Sequence, residues 1–108
     1  KQFNDTITDW SELEKYCHYL WQRQLHIYEV PFYYIEYGIA QLGAIGVWKN
    51  YREDPKAGLQ GYIDALKLGY TAPIGEIYAA ARIPFDFSRE HITDLMDFVR
   101  KELEQLKI

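Results

Sequence analysis

The chain has a single cysteine, Cys17, so no disulfide can close within it, and a lone thiol fits a reducing compartment better than a secreted one. The cytoplasm is therefore the expected location. Positive charge is also scarce: the formal net charge is −4, which does not provide the clustered Lys and Arg that a phosphate-tracking surface needs. Nucleic acid is not expected as a partner. Lys1 to Thr6 lack the basic stretch, apolar run and small-residue cleavage site of a signal peptide. The absence of an initiating Met suits a piece cut from a longer chain, and suits trimming of the N-terminus equally. No fixed-period repeat, low-complexity run or sustained strand alternation is present.

Apolar residues make up 48% of the 108 residues and aromatics 17%, which removes the low-hydrophobicity signature of disorder. The spacing of those residues predicts an all-α fold, a compact bundle of about five helices forming one unit over residues 1–108. Leu13, Tyr16, Cys17, Leu20 and Trp21 recur at three- and four-residue steps, giving a first helix from about Ser11 to about Gln24. Pro31 offers a first-turn position for a second, from Phe32 to about Arg52. Asp54 and Pro55 start a third that ends near Leu68, with Gly69 as its stop. A short fourth covers Ile74 to Ala81. Ser88 caps a fifth, whose stripe is Ile92, Leu95, Met96, Val99, Leu103 and Leu106.

The Phe32 to Arg52 helix is apolar almost all the way round, so it is expected to be the central and most buried element. Its glycines, Gly38, Gly43 and Gly46, each cost about 1 kcal/mol against Ala. Close approach of a backbone or ligand at those positions is the expected offset.

Catalytic machinery is incomplete. The H-E-x-x-H motif, which sets two histidines one turn apart beside a metal-bound water, is missing, and His18, His26 and His91 are far apart in sequence. Cys17 and His18 point about 100° apart on a helix and cannot share an ion. There is no phosphate loop and no G-x-S-x-G elbow, and Ser11 and Ser88 both read as helix-start residues. A metal site made from this chain alone is not expected. His18 reads as a surface ion pair with Glu14 and His91 as solvated, while Glu36 is either paired with a cation or facing a channel.

The informative stretch runs from His26 to Leu42. A histidine in a short connector precedes a helix on which Tyr34, Tyr37 and Gln41, at i, i+3 and i+7, share a face. Such a row can aim neutral donors at a carbonyl or an oxyanion. It can also be an aromatic core stripe whose hydroxyls reach backbone carbonyls, and spacing alone favours that plainer reading.

This run, His26-Ile27-Tyr28-Glu29-Val30-Pro31-Phe32-Tyr33-Tyr34-Ile35-Glu36-Tyr37-Gly38-Ile39-Ala40-Gln41-Leu42, extended through Trp48-Lys49-Asn50-Tyr51, resembles the C-terminal signature of oligoendopeptidase F and its relatives in the thimet-oligopeptidase-like (M3) zinc metallopeptidases. Trp21-Gln22-Arg23-Gln24, Leu68-Gly69-Tyr70-Thr71 and Phe85-Asp86-Phe87-Ser88 resemble the same tail, so the likeness covers nearly the whole chain. It implies a mostly helical oligopeptidase acting on short peptides. Zinc would be held in the full-length enzyme by residues upstream of Lys1, and the remainder of the peptidase chain would be this segment's partner. By motif position His26, Tyr34 and Tyr37 match the family's substrate-facing histidine and tyrosines. His26 and Tyr37 are the expected catalytic pair, and His26, Tyr34 and Gln41 the expected substrate-binding residues. A glycine-rich loop of the thimet-oligopeptidase branch is replaced by Tyr28-Glu29-Val30-Pro31, which leaves Tyr28 without a carried-over role.

Two rival readings stand beside this one. A membrane span over Val30 to Trp48 is long enough, but Glu36 and Gln41 near its middle oppose it, at about 2.5 kcal/mol or more for the acid. A stand-alone helical interaction module without catalysis is the stronger rival. Self-association of the chain or a bound partner is expected, since a helix evolved to face the rest of an enzyme would otherwise expose a large apolar patch.

Overall fold

The computed structural model describes residues 9–106, and the opening Lys1 to Thr6 segment lies outside the described residues. Among the described residues there is no strand, and the elements are α1 (Glu14–Cys17), a 3-10 turn (Leu20–Arg23), α2 (His26–Glu29), α3 (Ile35–Glu53), α4 (Pro55–Leu68), α5 (Ile74–Ala80) and α6 (Arg89–Gln105). The all-α expectation holds. By its contacts the chain divides into two units, Lys1–Glu36 and Tyr37–Ile108.

The first unit departs most from the sequence reading. Where one helix over Ser11 to Gln24 was expected, there is a four-residue helix and then a four-residue 3-10 turn. Capping is part of the reason. Ser11 does not start a helix; its N–H and hydroxyl both donate to the Asp9 carboxylate in a local turn. The N-cap of α1 is Leu13, whose side chain has no oxygen to offer. The stripe is also uncovered, since Leu13, Tyr16 and Trp21 each remain 52% exposed. Isolated helices of this length are marginal in water, and Tyr, Cys, His and Trp have weak intrinsic preference for them.

The second unit follows its punctuation closely. The Asp54 carboxylate accepts from the N–H groups of Lys56 (3.1 Å) and Ala57 (3.0 Å), satisfying donors that a helix start leaves open. Pro55 occupies the first position of α4, and Gly69, with φ of 50°, ends it. The Ser88 hydroxyl accepts from His91 N–H at 3.2 Å and so starts α6. Its hydroxyl and N–H in turn donate to Asp86, and those bonds hold the Asp86 carboxyl below its ordinary range.

The core of this unit is small. Ala65, Ala81 and Ile83 are buried together, with Val47, Ile77 and Tyr78 packed against them, and Leu95 is 1% exposed. Helix α3 meets α6 through an edge-on Trp48–Phe98 contact (4.8 Å) and the Lys49–Asp94 and Arg52–Glu102 ion pairs.

The expectation that the Phe32 to Arg52 helix is the most buried element is not met. Only Gly43 and Gly46 of α3 are buried, and Ile35, Tyr37, Trp48 and Tyr51 are exposed. Within the second unit, neighbours cover one side of α3 only. Two of its glycines do mark close approaches, though by side chains rather than by backbone. A Cβ on Gly43 would lie 2.6 Å from the Tyr78 hydroxyl, and one on Gly46 would lie 3.0 Å from Ile83 Cγ2. Gly38 faces open space. The backbone-to-backbone approach falls instead at Gly58 of α4, where a Cβ would sit 2.7 Å from the Tyr51 backbone N and Cα.

Candidate active site

The segment from Leu25 to Tyr34 is a chain of tight turns. His26 lies at the start of the single-turn helix α2, not in a connector, and Val30 N–H closes that turn on the His26 carbonyl at 3.3 Å. Pro31 then acts as a turn residue and not as the first residue of a helix. Tyr33 N–H donates to the Val30 carbonyl at 3.2 Å, and Phe32 has φ of 65°. Proline in the second position and a positive φ in the third is the pattern of a type II turn, a place usually given to Gly or Asn. A residue with φ of 65° is not α-helical, so α3 begins at Ile35 rather than at Phe32.

This turn carries the following tyrosines back toward the histidine. The Tyr33 ring lies nearly parallel to the His26 imidazole, with centroids 5.9 Å apart and an interplanar angle of 11°. Tyr34 stands against the same imidazole at 6.0 Å and 38°. His26 is half-buried, and its Nδ1 is shielded from solvent. A pocket of about 230 Å³ opens here, lined by His26, Ile27, Val30, Phe32, Tyr34 and Ile35. Tyr28 is turned elsewhere, with its ring stacked on Trp21 at 5.9 Å.

Of the four residues singled out by sequence, the structure therefore brings His26 and Tyr34 to one pocket within the first unit. Tyr34 precedes α3, so the expected helical row over Tyr34, Tyr37 and Gln41 is shortened to Tyr37 and Gln41, one turn apart in the second unit. Both of these side chains are exposed. Tyr33 escaped the sequence reading, because its contact depends on the Phe32 turn and Pro31 also suits a helix start. Among the described residues no three of His, Cys, Asp and Glu come together to hold a metal ion, so the side chains present do not fit a zinc site.

A family model described as peptidase family M3 matches residues 1–96 of the chain. The chain belongs to peptidase family M3. The matched span includes His26, Tyr34, Tyr37 and Gln41, together with the pocket. No curated protein and no solved structure gives a significant match. Membership makes this a peptidase segment, and no helix among the described residues is long and apolar enough to cross a membrane.

Proposed function

We propose that this chain is the C-terminal helical segment of a cytoplasmic, oligoendopeptidase F-like zinc oligopeptidase, and that it binds and orients short peptides. The observation that supports this most is the pocket shared by the His26 imidazole and the Tyr34 phenol. A peptide backbone presents carbonyl acceptors, and both rings carry donors that can meet them at the edge of an otherwise apolar recess. Tyr37 is the donor proposed for the oxygen of the scissile carbonyl, with Gln41 one turn further along α3 holding the peptide. A neutral phenol suits that role because it donates without bringing a charge of its own. Zinc would take its ligands from outside this chain, and the chain alone is proposed to be inactive.

Replacing His26 by Ala in the full-length peptidase tests the binding role. A lost substrate hydrogen bond should raise KM roughly tenfold. An unchanged KM would remove His26 from substrate binding.

The interaction-module reading has one observation in its favour. An apolar groove of about 590 Å³ runs along α3, α4 and α5, with Trp48, Tyr51, Leu59, Tyr62 and Leu66 among its lining. On the peptidase reading the remainder of the enzyme covers this groove, and the isolated chain self-associates through it. Sedimentation showing a clean monomer at high concentration would count against that self-association.

A further inference from the structure

We propose that Tyr33 is a positioning residue for His26: its ring stacks on the imidazole and fixes the orientation in which His26 faces the pocket. This rests on the substrate-binding role proposed for His26. Three observations carry it. First, the two rings are 11° from parallel at 5.9 Å, within the range over which aromatic pairs attract. An imidazole has two side-chain torsions, and each rotamer presents different ring atoms to the pocket. Second, Tyr34 meets the same imidazole at 6.0 Å, so the ring lies against two aromatic neighbours while still lining the pocket.

The third observation is the backbone that puts Tyr33 there. Phe32 adopts φ of 65° and is 95% exposed. A bulky residue rarely adopts this conformation, and the Phe32 side chain gains little burial in the described structure to offset it. What the turn does achieve is reversal of the chain after α2, which sets Tyr33 on His26 and leaves Tyr34 at the pocket. Strain of this kind persists where surrounding structure over-determines it, and it tends to gather at ligand sites.

The test uses nuclear magnetic resonance on the 108-residue chain. In the unsubstituted chain, cross-peaks between Tyr33 and His26 ring protons are expected, and their absence overturns the proposal whatever any variant does. Tyr33→Leu should move the His26 ring protons downfield, because the ring current is lost, while Tyr33→Phe should leave them nearly in place. Equal shifts in both variants, or in neither, would also overturn it. Phe32→Gly permits the same turn without the strain and should preserve the cross-peaks; their loss would show that the turn is not what places Tyr33.

In the full-length peptidase, assayed with a short internally quenched fluorescent peptide, Tyr33→Leu should raise KM roughly three- to tenfold, and Tyr33→Phe should restore the wild-type value. If His26→Ala itself leaves KM unchanged, the binding role of His26 fails while the ring contact stands on the resonance data. If His26→Ala raises KM and Tyr33→Leu does not, the positioning role fails alone.

Discussion

Leu13, Tyr16 and Trp21, the apolar stripe of the first unit, each keep about half their surface in solvent, whereas Leu95 on the stripe of α6 is 1% exposed. Both stripes have helical spacing, yet only the covered one belongs to a long helix. The first unit is held instead by short turns and ring contacts, Trp21 on Tyr28 and His26 against Tyr33 and Tyr34. The second has capped helices, interhelical ion pairs and a small apolar core. Periodicity marks a surface that wants covering, and it becomes a long helix where the cover and the caps are supplied.

Breaking this contrast should be easiest at Leu95. Leu95→Ala removes a fully buried side chain and should cost about 2–5 kcal/mol in chemical denaturation, whereas Leu13→Ala should stay within about 0.5 kcal/mol. Comparable losses at the two sites would mean that the first unit has a core of its own. Next in size is Gly58→Ala, which forces α4 away from the Tyr51 backbone and should cost about 1–3 kcal/mol, despite the usual preference of helices for Ala. Gly38→Ala, facing open space, should stabilise the chain by up to about 1 kcal/mol. A gain at both glycines would contradict the close helix crossing. The smallest effect belongs to the caps: Asp54→Ala should cost about 1 kcal/mol, read as a lower denaturation midpoint, while Ser11→Ala should be close to neutral.

The legibility of the sequence followed the same division. Asp54-Pro55, Gly69 and Ser88 are local signals with local causes, and α4 runs from Pro55 to Leu68 as its spacing indicates. The break at residues 18–19 and the turn at Phe32 had no such signal. The first reflects a stripe left uncovered. The second is a positive φ at a phenylalanine, which no propensity would assign. The all-round apolarity of α3 predicts the most buried element, but the second unit covers only one side of it. The resemblance to a peptidase tail singles out His26 and Tyr34, and both line one pocket. Tyr33 was not legible, since its contact is made by the fold of a turn.

The central claim, that this segment supplies substrate-side chemistry to a peptidase, is tested most directly by kcat of the full-length enzyme carrying Tyr37→Phe. Loss of one oxyanion donor typically costs about a hundred- to a thousand-fold in turnover, or roughly 2.7 to 4 kcal/mol. The expected result is a fall of that order, with zinc content and KM nearly unchanged. A wild-type kcat would contradict the account, and a loss confined to KM would move Tyr37 from the transition state to ground-state binding.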